Sequence, residues 1–157
     1  MNLKLDIRLN TDVIVHNQRM LKSFYKWTEK DLIPRDGTAE EQAEKLFNAP
    51  FAVVSHGTEA DPVFKYGNKK ALELFETSWE DFTKMPSRNS AEPMEQKLRT
   101  EFMERVTKNG FVDNYEGIRI SSSGKRFLMK SAIVWNVLDE DGKYCGQAAT
   151  FSSWAYL

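Results

Sequence analysis

Hydrophobic positions near the start of the chain recur at spacings of three and four residues, which is typical of a helix with one buried face. Two adjacent stripes contain Val13, His16, Met20, Phe24 and Trp27, and Ile14, Leu21, Tyr25 and Leu32. The pattern predicts one helix, which the residues around Pro34 and Gly37 end. A second helix is predicted from Ala39 to Phe47, because Thr38 and Glu41 have the spacing of a capping box.

The hydrophobic pattern changes to short β-type runs after Pro50. The predicted elements in this part are two strands (51–55 and 63–66) separated by a polar loop (56–62), two short helices capped by Asn68 and Ser78, an irregular segment (86–93), and a longer helix from Met94 to Asn109. Gly110 follows the last helix at the position where a glycine commonly ends one.

Three strands are predicted in the last third of the chain: Tyr115–Ser121, Arg126–Leu138 and Tyr144–Ser152. The middle strand is apolar on both faces. Regular alternation predicts Phe127, Met129, Ile133, Trp135 and Val137 on one face, and Leu128, Ala132, Val134 and Leu138 on the other. We therefore expect a central strand, with helices or another chain covering its second face.

These elements predict an α+β domain with a five-stranded antiparallel sheet and short helices on one face. Residues 1–47 are expected to form an N-terminal helical extension that packs on a core of residues 48–157. The length of 157 residues and the hydrophobic content of 41% suit one domain that buries its own core.

Charge and composition exclude several classes of protein. The 22 Lys and Arg residues and 23 Asp and Glu residues leave a net charge of −1, so a general nucleic-acid binder is not expected. The single cysteine, Cys145, rules out an internal disulfide and a cysteine-rich zinc site. Because the chain has neither an apolar run long enough to span a bilayer nor the apolar stretch of a signal peptide, we expect a cytoplasmic protein with no membrane partner.

The order of elements resembles that of a PAS domain: two short strands, several short helices, a connecting helix and a three-stranded meander. Asn68, directly after the second strand, resembles the asparagine that opens the helical segment of many PAS domains. The segments Ile118–Phe127 and Asp139–Gly146 resemble the last two hairpins of that fold. The resemblance implies a PAS-like fold.

Three longer blocks, Asn48–Phe64, Pro86–Pro93 and Gly146–Phe151, resemble the MEKHLA family, which is PAS-related. This domain occurs alone in bacteria and algae and at the C-terminus of plant class III homeodomain leucine-zipper transcription factors. The hexapeptide that names the family is absent, so the chain looks like the free-standing microbial or algal type. The resemblance implies a sensing or interaction role and brings no established ligand or reaction.

The irregular segment is the favoured place for a ligand, because its polar groups would lie at the mouth of the PAS cavity. The candidate pocket residues are Ser87, Arg88, Ser90 and Glu92 from this segment, together with Asn68, Asn114, Tyr115, Trp135 and Gln147. Two alternatives stay open: Arg88 and Glu92 satisfy each other or cap helices, and Trp135 belongs to the core.

Two other polar clusters and one histidine have residue types that catalysis or ligand binding could use. His56 with Glu59 or Asp61 has the composition of an acid–base or metal site, but one loop supplies no further ligand or nucleophile, and a turn is the alternative. His16 lies on an apolar helical face and is interpreted as a packed core residue. The turn Ser121–Arg126 has the composition of a phosphate site without P-loop spacing, so a solvated hairpin turn is favoured. We expect no catalytic and no metal-binding residues.

The sequence disfavours two cofactors and leaves others open. The helix from Met94 to Asn109 has no histidine to ligate haem. Ser90 stands where light-sensing PAS domains carry the cysteine that forms a flavin adduct, which leaves noncovalent flavin possible. Cys145, beside Lys143, is either a redox-sensitive thiol or inert packing.

Three functions follow from these observations. The favoured one is a sensory or small-molecule-binding and protein-interaction module without catalytic activity, whose partner is a separate signalling protein or a second copy of the chain. The alternatives are a dimerisation domain whose core is filled by its ten Phe, four Trp and five Tyr residues, and an enzyme that uses His56.

Overall fold

The computed structural model describes residues 10–91 and 93–157, with the backbone alone at residues 93–96 and 99. The elements in chain order are α1 (Thr11–Thr28), α2 (Ala39–Phe47), β1 (Ala52–His56), β2 (Phe64–Gly67), α3 (Lys69–Phe75), α4 (Trp79–Phe82), a 3₁₀ helix (Ser87–Ser90), α5 (Pro93–Asn109), β3 (Phe111–Ile120), β4 (Arg126–Leu138), β5 (Tyr144–Phe151) and β6 (Ser153–Tyr156). The predicted order of elements is confirmed.

The strands form one antiparallel sheet in the order β2-β1-β5-β4-β3. β5 pairs with the second half of β4, and β6 continues along the first half of β4 after a bend at Ser152. The predicted antiparallel α+β architecture is confirmed, and the last predicted strand continues as a sixth.

Side-chain caps start the short helices where the sequence predicts them. The Thr38 hydroxyl accepts from the backbone N–H of Glu41, and the Glu41 carboxylate accepts from the N–H of Thr38, which completes the capping box. The Asn68 and Ser78 side chains cap α3 and α4 by accepting from the backbone N–H groups of Ala71 and Asp81. These caps satisfy N–H groups that the first turn of a helix leaves without partners.

Helix α1 packs on the face of the sheet opposite α5. Its buried side chains Met20, Leu21 and Phe24 form a core cluster with Trp135 and Val137 of β4. Leu46 of α2 joins the same core cluster. The rings of Phe24 and Trp135 meet edge to face, with centroids 4.9 Å apart. The prediction that helices cover the second face of β4 is therefore confirmed. The division at residue 47 stays a prediction.

The predicted faces of β4 are wrong for its first half. Phe127 and Met129 share a core cluster with Ala132 on the side of the short helices, whereas Trp135 and Val137 contact α1. The cause is a β-bulge. Gly117 pairs with Met129 and Tyr115 pairs with Ala132, so two β4 residues lie opposite one β3 residue, and Ser131 has a φ of 51°. The extra residue reverses the alternation from that point onward.

Aromatic side chains fill the space between the sheet and the short helices. Phe64 stacks on Phe82 with centroids 4.1 Å apart, and Phe75 contacts Phe127 edge to face. A smaller cluster under α5 contains Phe102, Val106 and Val134. The gap between these two clusters contains the cavity described next.

Candidate functional site

A cavity of about 40 Å³ lies between the sheet, α5 and the 3₁₀ helix. Its apolar lining consists of Val54, Phe64, Phe75, Met103, Met129, Val134, Ala148 and Ala149, and its remaining lining residues are Ser55, His56, Ser90, Tyr115, Arg119 and Gln147. A volume of this size holds about three water molecules.

Three of the predicted pocket residues, Ser90, Tyr115 and Gln147, meet at this cavity. The Ser90 hydroxyl donates to the carbonyl of Ser87 at 2.7 Å. The Gln147 amide nitrogen lies within 3.1 Å of three acceptors: the carbonyl of Met103, the Thr107 hydroxyl and the Asn136 amide oxygen. The buried Oε1 of Gln147 has no hydrogen-bond partner among the described residues. One acceptor at the cavity is therefore available to a water or a ligand.

Tyr115 and Arg119 converge from one strand onto the cavity. Tyr115 stacks on Phe102 with centroids 3.7 Å apart, and its hydroxyl lies 3.4 Å from Nη2 of Arg119. A Cβ on Gly117, between them, would lie 2.7 Å from the Tyr115 hydroxyl and 2.9 Å from Nη1 of Arg119. The missing side chain of Gly117 gives both neighbours room. Arg119 was not predicted as a site residue, although it shares the strand face of Tyr115 by spacing.

Arg88 and Ser87, the other described candidates of the irregular segment, lie outside the cavity lining. Arg88 is exposed, and its Nε donates to Oδ1 of Asp61 at 2.9 Å. Ser87 is buried, its backbone N–H donates to Pro62, and its hydroxyl has no partner among the described residues. Glu92 lies outside the described residues, so its predicted role stays a prediction.

The structure does not bring Asn68, Asn114 or Trp135 to the cavity lining. Asn68 is fully buried and uses its amide to bind the backbone of β1, α2 and α3. Asn114 is exposed, with a φ of 55° in an irregular part of β3. Trp135 faces α1, where its indole N–H donates to the carbonyl of Met20 at 3.2 Å. The alternative interpretation of Trp135 as a core residue fits this position.

The carboxylates of the loop after β1 hold the loop together. Glu59 accepts from the backbone N–H of Val63, which lowers the pKa of the Glu59 carboxyl, and Asp61 binds Arg88. His56 lines the cavity, with Nδ1 3.0 Å from the carbonyl oxygen of Gly57. Within residues 10–91 and 93–157, no three His, Cys, Asp or Glu residues are grouped closely enough to hold a metal ion.

Comparison with protein families matches residues 14–156 to the MEKHLA domain. The chain belongs to the MEKHLA family. Two plant relatives are the homeobox-leucine zipper protein HOX10 of Oryza sativa, 28% identical over 125 residues and 78% of this chain, and ATHB-14 of Arabidopsis thaliana, 27% identical over 143 residues and 87% of this chain. The matched regions are 14% and 16% of those proteins. That this MEKHLA domain is of the free-standing type stays a prediction.

The fold of this MEKHLA domain is that of PAS domains. A PAS domain from Colwellia psychrerythraea superposes with a TM-score of 0.62 at 14% identity, over 75% of this chain and 95% of the other. An RNA-binding light-oxygen-voltage receptor superposes with a TM-score of 0.61 at 15% identity, over 77% of this chain and 34% of the other. The predicted PAS-like fold is confirmed.

Among the described residues, none of the helices combines the length and the apolar character that a membrane span requires.

Two other candidate groups of this MEKHLA domain lie away from the cavity lining. Burial raises the pKa of the half-buried Cys145 thiol despite the nearby Arg19, which disfavours the reactive thiolate. In the β3–β4 turn, the hydroxyls of Ser123 and Ser121 donate to Glu76 and Lys125 pairs with it, and these contacts lower the pKa of Glu76 to about 2. The carboxylate takes up the donors that a phosphate would need, which fits a structural hairpin turn.

Proposed function

We propose that this MEKHLA domain is a small-molecule-binding sensory and protein-interaction module without catalytic activity. The observation that supports this proposal best is the cavity between the sheet and α5, lined by buried polar groups that include the unpartnered Oε1 of Gln147. Buried polar atoms without partners are rare in folded proteins, because their desolvation is not compensated. A water held in the cavity, or a bound molecule that donates to this oxygen, would supply the compensation.

Helix α1 is the element through which we propose that binding is communicated. The imidazole Nε2 of His16 lies 2.7 Å from the hydroxyl of Ser55 in β1. Val54 and His56, on either side of Ser55, line the cavity. A ligand that shifts β1 therefore shifts a hydrogen-bond partner of α1. The receiver of the change is a separate signalling protein or a second copy of the chain, in the cytoplasm, with neither nucleic acid nor membrane involved.

The size of the cavity supports a small ligand rather than a large cofactor. Sites for cofactors and drug-sized molecules usually measure about 300–1,000 Å³, far more than the roughly 40 Å³ found here. Neither haem nor flavin fits a cavity of this size without a rearrangement of its walls. Ser90 at the cavity also supplies a hydroxyl where a cysteinyl-flavin adduct requires a thiol.

A dimerisation domain with a filled core is the second candidate. The observation in its favour is the aromatic packing between the sheet and the short helices. The rings of Phe64, Phe75 and Phe82 contact one another, and Phe75 also contacts Phe127. On this alternative the cavity is a packing defect that holds water.

Three measurements separate the two candidates. Native mass spectrometry and an absorption spectrum of the freshly purified chain come first, and a thermal-shift screen of small metabolites follows. The proposed function predicts an added mass or a metabolite that raises the unfolding temperature. Ala149→Leu, which fills the cavity, should abolish that response, whereas Ala155→Leu, on a half-buried strand position away from the cavity, should keep it. A bare mass with no stabilising metabolite would favour the filled core.

A further inference from the structure

Arg119 is a cation in a place where cations are rarely found. It lies on β3 and lines the cavity, and only 5% of its surface is exposed. Burying a charge is costly unless the charge is paired and hydrogen-bonded. The groups around Arg119 therefore determine whether the fold itself compensates the buried charge.

The described residues compensate Arg119 poorly. Nη1 donates to the carbonyl of Ile118, the preceding residue, at 2.8 Å, and Nη2 lies 3.4 Å from the Tyr115 hydroxyl. The guanidinium carbon also lies 5.9 Å from the centre of the Tyr115 ring, at the outer limit of a cation–π contact. A guanidinium has five N–H donors, so most of them have no hydrogen-bond partner among the described residues. None of the ion pairs among the described residues includes Arg119. Glu76, at the end of α3, is already held by Ser121, Ser123 and Lys125.

The rest of the cavity determines which anion would fit. A guanidinium matches a carboxylate or a phosphate, since both offer two oxygens to its planar fork. The lining around Arg119 includes Phe75, Met103, Met129 and Val134. A phosphate would leave further charged oxygens against these apolar side chains, whereas a carboxylate carries its charge at one end and a hydrocarbon chain at the other.

We propose that Arg119 binds the carboxylate of a short aliphatic acid, whose hydrocarbon chain occupies the apolar part of the cavity. The proposal rests on the proposed function and adds to it the chemical class of the ligand. Because the cavity of about 40 Å³ holds about three water molecules, only the shortest acids, of two or three carbons, suit it. Ligands of this size bind in the micromolar range or more weakly.

The experiment titrates the full chain with sodium propionate, with its neutral isostere propionamide, and with inorganic phosphate, all at one ionic strength. Binding is measured by calorimetry and by the rise in unfolding temperature. Propionate should bind and stabilise the wild type, and propionamide and phosphate should not. Arg119→Gln should weaken propionate binding about 10- to 100-fold, the usual cost of losing a hydrogen bond to a charged group. Arg126→Gln removes the same charge from an exposed position on the adjacent strand and should leave binding unchanged.

Several results would overturn the proposal. Equal responses to propionate and propionamide would show that the charge of the ligand does not matter, and an equal response to phosphate would show that the class of anion is wrong. Unchanged propionate binding by Arg119→Gln would place the ligand elsewhere. If Arg119→Gln does not fold, Tyr115→Phe, which removes the hydroxyl near Nη2, takes its place and should weaken binding less severely.

The stability of the ligand-free protein provides an independent readout. Arg119→Met should be at least as stable as the wild type without ligand, because it removes an unpaired buried charge. A strong loss of stability would show that the fold already compensates the guanidinium and would contradict the proposal. If a neutral metabolite binds in the screen and Arg119→Gln still binds it, this inference fails while the proposed function stands. If no molecule binds at all, both fail.

Discussion

The imidazole of His16 is one of the contacts that join α1 to the sheet. Its Nε2 lies 2.7 Å from the Ser55 hydroxyl, and burial, together with the nearby Lys65 and Arg19, lowers its pKa from 6.5 to about 4. The unfolded chain binds a proton near pH 6.5, whereas the folded chain does so only near pH 4. The contribution of His16 to stability is therefore complete above pH 6.5 and is lost as the pH falls toward 4.

We expect the free energy of unfolding to fall by about 1 kcal/mol between pH 7.5 and pH 5.5 on account of His16. Urea denaturation at the two pH values measures the change. His16→Gln, which places an amide that does not titrate near Ser55, should flatten the pH dependence. His56→Gln, measured in the same way, tests whether the other histidine contributes to the pH dependence. If His16→Gln lost stability as steeply as the wild type, the assignment to His16 would be wrong.

Arg119 shows where hydrophobic patterning misleads. In β3 the apolar residues Ile118 and Ile120 alternate with Arg119, so the usual pattern predicts the isoleucines inside and the arginine outside. The structure has the reverse: Arg119 is buried at the cavity and the two isoleucines are half-buried on the other face. Register with β4 determines this orientation, and no short segment of sequence contains that information.

At the scale of elements, Asn68 connects three of them through one amide. Its Oδ1 accepts from the N–H groups of Ala71 and Val53, and its Nδ2 donates to the carbonyls of Leu46 and Phe51. The sequence predicted the cap on α3, because capping depends on neighbouring residues. The bonds to β1 and to the end of α2 depend on the tertiary fold.

Asn68→Ala should lower the free energy of unfolding by about 3 kcal/mol, because it removes a helix cap and leaves buried backbone groups without partners. Ser78→Ala, which removes the exposed cap of α4, is the matched control and should cost about 1 kcal/mol. Chemical denaturation of both variants gives the comparison. Equal losses would mean that the amide acts only as a cap.

The contact between α1 and β4 is a second property of elements that can be tested. Phe24 is buried against Trp135, whereas its neighbour Tyr25 is 53% exposed. Phe24→Ala should cost about 3–5 kcal/mol, as large truncations in cores do, and Tyr25→Ala should change stability by no more than about 0.5 kcal/mol. Similar effects in the two variants, measured by denaturation, would show that α1 is loosely attached.

At the scale of the whole molecule, the family match and the packing both include α1. The MEKHLA match begins at residue 14, within α1, and α1 contributes to the cluster that buries Trp135 and Val137. The sequence divided the chain at residue 47 because the periodicity changes there. Periodicity reports secondary structure, but it does not report which elements share a core.

A fragment of residues 48–157 tests this division. We expect it to lack a cooperative unfolding transition and to bind hydrophobic dyes, because Trp135 and Val137, fully buried in the chain, would be exposed. The full chain should unfold in one transition. Cooperative unfolding of the fragment would instead establish residues 48–157 as an independent domain.

The bulge at Ser131 determines which side chains of β4 are buried on which face of the sheet. Before the bulge the odd-numbered residues face the short helices, and after it the odd-numbered residues face α1. The same strand therefore packs Phe127 on one side of the sheet and Trp135 on the other. A substitution at Ser131 alters one side chain. Deletion of that single residue would restore regular alternation and turn the side chains of one half of β4 to the opposite face of the sheet.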